Sequence, residues 1–190
     1  MRLIVCLAAL FAASATPQCV VVSGAAETAE ATEAEVVEVF GEGKLTIPAD
    51  FERVKPKMGM IEHEFQVSTG EGDDVTTGRV TMMGATGGIE PNIARWKGQF
   101  AGGNKEANKT EKLKVGKWDV YIVDLNGSYG VSMGGGPFSG GKVVQQPDYG
   151  MTAAILANPE GKTYFIKMIG PGSVVKANRD EFVKMVKNLK

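Results

Sequence analysis

From Met60 to Ser68 the side chains alternate, Ile61, His63, Phe65 and Val67 against Glu62, Glu64 and Gln66. That period of two marks a half-buried strand. A polar turn, Thr69 to Asp74, leads into a second run, Val75–Met83, and the pair predicts an antiparallel hairpin. The period then changes. Ile89, Ile93, Trp96 and Phe100 fall at i, i+4, i+7 and i+11, one face of an α-helix. Pro91 sits in its first turn, where a missing N–H costs nothing, and Gly102-Gly103 is the expected stop.

Elsewhere the pattern predicts a first strand, Lys44 to Ile47, ended by Pro48. A lysine-rich loop is expected over Asn104 to Lys117. Trp118 to Leu125 is apolar on both alternations, which suits a central strand. Asn126-Gly127 reads as a type I′ turn into Ser128–Met133, followed by a long Gly/Pro/Gln loop, Gly134 to Tyr149. Met151–Ala157 and Lys162–Ile169 form a second hairpin around Asn158-Pro159-Glu160-Gly161. A terminal helix carries the stripe Phe182, Met185, Val186 and Leu189, with Lys184, Lys187 and Lys190 at its negative end. The expected fold class is α+β, a mainly antiparallel twisted sheet of six to seven strands flanked by two helices. Without strand–helix alternation, a parallel doubly wound sheet is not expected.

The first residues change the picture of where the protein works. Arg2 precedes an apolar run, Leu3 to Ala12, with the length of a signal-peptide core and too short to span a bilayer. Small residues at Ser23-Gly24-Ala25-Ala26 offer a cleavage zone, preferred to Ala13-Ser14-Ala15. The expected organisation is a signal peptide over 1–26, an acidic low-complexity linker over 27–40 and a single domain over 41–190. The expected location is periplasmic or extracellular. Both cysteines, Cys6 and Cys19, lie in the leader, so disulfide, thiol and Cys-ligated metal chemistry is not expected of the mature chain. Residues 1–38 hold one base and five acids, which leaves 20 bases and 17 acids, formally +3. That is far short of a nucleic-acid-binding domain.

Few residues offer chemistry. Gly130-Val131-Ser132-Met133-Gly134 matches the nucleophile-elbow pattern, but no helix pattern follows and the only histidine, His63, comes earlier. Gly136 to Lys142 matches most of a P-loop, yet Val143 stands where Ser or Thr must hold Mg²⁺. His63 shares the apolar alternation and is expected to point inward, with Glu62 and Glu64 on the other face and Arg79 placed to pair with one of them. Glu71, Asp73 and Asp74 form a solvated acidic turn without EF-hand spacing. Asn108-Lys109-Thr110 and Asn126-Gly127-Ser128 are glycosylation sequons. No cofactor and no metal site is expected.

The segments IEHEFQV, GRVTMMGATGGIEPNIARWKGQF and GMTAAILANPEGKTYFIKMIGPG resemble a family of exported bacterial proteins typical of planctomycetes, over roughly residues 44–190. That resemblance implies export and the domain limits. The strand ending in Ile47-Pro48 and the stretch Tyr164 to Leu189, a strand, a Gly-Pro turn and an amphipathic helix, also resemble PsbP-like domains. Such a domain implies an antiparallel sheet flanked by helices in an accessory or binding protein.

The function expected from these residues is an exported, non-catalytic binding or accessory protein of the cell envelope. Its partner would be an envelope or periplasmic protein or an anionic polymer, not nucleic acid. The expected contact surface is the Gly134–Tyr149 loop with Trp96–Lys117 beside it, represented by Arg95, Trp96, Lys112, Lys114 and Tyr149. Two alternatives stand beside it. One is a carboxylate-dependent extracytoplasmic hydrolase using Asp119 or Asp124 with Glu62 or Glu64. The other is a structural envelope component tethered by its acidic segment.

Overall fold

The structure, a computed structural model, describes residues 34–133 and 142–190. The expected signal peptide, the first half of the linker and the first half of the Gly/Pro/Gln loop lie outside these residues.

Two short strands come first, β1 (Val36–Val39) and β2 (Gly43–Thr46), paired as a hairpin. The chain continues through β3 (Glu52–Val54), β4 (His63–Thr69), β5 (Thr76–Ala85) and α1 (Ile89–Lys97). After α1 follow β6 (Phe100–Ala101), β7 (Lys109–Val115), β8 (Trp118–Met133) and β9 (Lys142–Ala157). The last elements are β10 (Thr163–Pro171) and α2 (Gly172–Lys187). Strands β3 to β10 form one sheet in the order β3-β4-β5-β10-β9-β8-β6, with β7 also paired to β8. All its pairings are antiparallel. No helix among the described residues is long and apolar enough to cross a membrane.

The two faces of the sheet are covered unequally. On one, Phe65, Val80, Ile122, Leu156, Ile166 and Met168 pack against Phe182, Met185 and Val186 of α2 and against the β1–β2 hairpin. α2 runs 16 residues, long enough to cover several strands. On the other face the 9-residue α1 places Ile93 and Trp96 on Val123, Ala153, Ile155 and Phe165. The Trp96 and Phe165 rings meet edge to face with centroids 5.0 Å apart. A helix this short leaves the β4–β5–β10 side of that face open.

Both expected hairpins form, β4–β5 and β9–β10, and the terminal helix buries the expected stripe. Several elements differ from expectation. The first strand is β1, inside the segment read as linker. Val37 and Val39 are buried, and the turn after them holds Phe40 and Gly41 at positive φ. The helix stops at Gly98, not Gly102-Gly103, and Phe100 belongs to β6.

The lysine-rich segment is not all loop. Lys109–Val115 forms the edge strand β7, exposed on both faces along most of its length, so no apolar alternation announces it. Asn126-Gly127 does not turn the chain. Strand β8 runs through it, with a register shift between Gly127 and Tyr129. Asn126 is held by side-chain bonds with Asn104 and Asn108. Gly127 lies so close to β6 that a Cβ there would stand 2.6 Å from the Ala101 carbonyl oxygen. Finally, Lys142–Tyr149 is the first half of β9 and not loop. Pro147 is tolerated because it lies where β9 bulges, next to Asp148 at φ 54°.

Candidate functional site

Strand β10 reads TYFIKMIGP and is the central strand of the seven along the path of the sheet. Beyond Thr163 its buried residues are apolar on both sides, and Lys167 is the one charge in it. Register places Lys167 in a cross-strand row Glu64–Thr81–Lys167–Ala153–Val123 on the open face. Its immediate neighbours, Thr81 and Ala153, are small. Thr81 and Lys167 line a cavity of about 200 Å³.

Three segments wall this cavity. Met58, Met60 and Ile61 come from the loop before β4, while Arg95 and Trp96 come from the C-terminal end of α1 and Gln99 from two residues beyond it. Met83, Phe165 and Ile169 line the sheet side, and Tyr129 arrives from β8. Met58 and Met60 are 51% and 66% exposed, unusual for methionine, and stand at the mouth. Tyr129 stacks on Tyr149 with centroids 6.0 Å apart, and the Lys167 ammonium lies 5.7 Å from the Tyr129 ring centroid.

The electrostatics are one-sided. Arg79 is neutralised by Glu64, to which its Nε and Nη2 donate over 2.7 and 2.9 Å. Arg95 donates to the Asn92 amide oxygen, a neutral partner. Among the described residues Lys167 Nζ has no hydrogen-bond or ion-pair partner, and no carboxylate lines the cavity. Burial, followed by the charges of Arg95 and Arg79, lowers the Lys167 pKa to about 8. In the same wall Gln99 Oε1 is buried without a hydrogen-bond donor among the described residues. Most buried polar atoms in folded proteins are paired.

Of the residues expected to form a contact surface, Arg95 and Trp96 line the cavity, and Tyr149 supports its Tyr129 wall. Lys112 and Lys114 are elsewhere, on the β7 edge, where Lys112 lies 5.1 Å from the Tyr121 ring centroid and Lys114 pairs with Asp119. Sequence reasoning missed Lys167; the available signal was a lone charge in the middle of an otherwise apolar strand.

The carboxylates considered for hydrolysis do not converge. Asp124 faces α2, where Arg179 and Thr152 hold it, whereas Glu64 faces the other side of the sheet with Arg79. Four strand spacings, about 19 Å, also separate β4 from β8. Glu62 accepts from the Gly84 N–H. His63 is half-buried at the sheet edge, its Nδ1 3.4 Å from two guanidinium nitrogens of Arg53, and not in the apolar core. Gly130 to Met133, the start of the nucleophile-elbow match, is strand; most of the P-loop match lies outside the described residues. Among the described residues no group of three or more His, Cys, Asp or Glu is placed to hold a metal ion.

No protein-family model matches the chain, and no curated protein matches it.

Proposed function

We propose that the protein is an exported, non-catalytic binding or accessory protein of the cell envelope, and that its ligand seat is the cavity above Lys167. One observation carries this reading: at the centre of a sheet, inside a cavity walled largely by apolar side chains, an ammonium has no hydrogen-bond or ion-pair partner among the described residues. Removing a charge from water without pairing it costs several kcal/mol, on the order of 1–3 kcal/mol even for a partly compensated group. A ligand that supplies the missing counter-charge recovers that cost on binding.

Binding is favoured over turnover because the acids are engaged. Glu64, Asp119 and Asp124 each meet a cation, which opposes the proton exchange that general acid–base catalysis needs. The leader supports export. One antiparallel sheet between two helices is the arrangement that the resemblance to PsbP-like accessory domains implies. A purely structural role leaves the unpaired Lys167 without a purpose.

The test is an NMR screen of the purified protein against anionic, neutral and cationic compounds of about eight non-hydrogen atoms, a size scaled to about 200 Å³ from benzene filling a ~150 Å³ cavity. Shifts gathered at Met83, Trp96 and Lys167 are expected. Shifts confined to the β7 edge, or none at all, contradict the reading.

A further inference from the structure

We propose that the Lys167 cavity takes a compact amphipathic carboxylate, an aryl or short alkyl acid whose head meets Lys167 and whose body lies against Met83, Trp96 and Phe165. This rests on the reading of the cavity as a ligand seat and names its ligand class.

The sign of the charge follows from the groups that face Lys167. Arg79 comes from β5 with its charge met by Glu64 of β4, Arg95 comes from α1 with no acid partner among the described residues, and Tyr129 of β8 is held neutral, its pKa raised mainly by burial. The remaining field is positive. Thioethers at the wall are ligands that a soft metal ion uses, but this field opposes a cation.

The head group follows from what the cavity lacks. Phosphate is usually held by a helix N-terminus, a glycine-rich loop or a free arginine fork. Here α1 offers its C-terminal end, the negative pole of its dipole, the Arg79 fork is occupied by Glu64, and Arg95 spends Nη2 on the Asn92 amide oxygen, which leaves it no free two-nitrogen fork through that edge. A single ammonium facing a monoanion fits this better than a dianion does. The apolar walls select the body, and the exposed Met58 and Met60 at the mouth gain cover when it is bound. A volume of about 200 Å³ suits a ligand of about eight non-hydrogen atoms.

Isothermal titration with hexanoate, benzoate, hexanol, hexylamine and phenyl phosphate tests this. Hexanoate and benzoate should bind about tenfold or more tighter than the alcohol or the amine, and tighter than phenyl phosphate. K167M should lose about tenfold or more of carboxylate affinity, the range for a hydrogen bond to a charged group, while K112M keeps it. In the unaltered protein, affinity should fall about tenfold per pH unit above pH 8, because only the protonated amine holds the head. K167R should keep binding and lose that step.

Carboxylate affinity unchanged in K167M, or flat from pH 7 to 10, overturns the proposal, as does preference for hexanol, hexylamine or phenyl phosphate. In that last case the cavity remains a ligand seat and only the ligand class fails. If none of the five compounds binds, both readings fail.

Discussion

Arg79 grips both oxygens of Glu64, Nε on Oε1 at 2.7 Å and Nη2 on Oε2 at 2.9 Å, across the β4–β5 pair. Glu64 is 1% exposed, and the Lys57 N–H also donates to it. The Arg79 hydrogen bonds foremost, opposed by burial, hold the Glu64 carboxyl below its usual pKa. That pair sets Arg79 in one wall of the Lys167 cavity and offsets the Glu64 charge beside it.

Removing the arginine strands a buried carboxylate. R79M should cost about 2–4 kcal/mol, somewhat under the figure for a fully buried pair because Arg79 keeps about a third of its side chain exposed. Chemical denaturation measures this. The contribution is present above the unfolded pKa of about 4.5 and is lost as pH falls through the lower folded value. R79M should also weaken carboxylate binding, since Glu64 then faces the cavity unopposed.

Lys167 predicts the opposite change in stability. Its folded pKa, about 8, lies below the unfolded 10.5, so the unfolded chain holds the proton more tightly. The penalty is complete below pH 8 and fades as pH rises from 8 to 10.5. K167M removes it and should raise Tm at pH 7 by roughly 2–4 °C, the effect of about 1 kcal/mol in a domain of this size. A higher Tm together with lost ligand binding marks a residue kept for function. A lower Tm in K167M contradicts the unpaired state of the ammonium.

Much of the frame was legible because it rests on short-range patterns. The β4 alternation, the Asn158–Gly161 turn and the α2 stripe each sit within about a dozen residues, and Arg79 opposite the glutamates followed from the hairpin alone. What was hidden depends on neighbours distant in sequence. β7 reads as solvated loop because an edge strand needs no apolar face. Asn126-Gly127 carries a turn signal that the approach of β6 overrides. Lys167 became a site only when β5 and β9 brought Thr81 and Ala153 beside it. Arg95 and Trp96 were legible as candidates, but the sheet floor beside them was not.

On the opposite face, Arg179 fastens α2 to β8 through both oxygens of Asp124, at 3.1 and 2.8 Å, and Thr152 donates to the same carboxylate at 2.8 Å. R179M should cost about 1–3 kcal/mol by leaving a largely buried acid without its cation. Hydrogen exchange should quicken in α2 first, while the cavity keeps its ligand affinity.

His63 makes stability fall in mild acid. Burial foremost, then the Arg53 charge, lowers its pKa from 6.5. The folded state therefore resists protonation, and stability is lost as pH drops from 6.5 through the folded value. H63Q should flatten the denaturation midpoint between pH 7 and 5. An unchanged slope contradicts the assignment.

The most direct test of the central claim is a crystal structure of the protein grown with benzoate. The carboxylate is expected about 3 Å from Lys167 Nζ, a charge-assisted contact, with the ring between Trp96, Phe165 and Met83. Benzoate bound elsewhere, or Lys167 Nζ paired to an acid of its own chain, contradicts it.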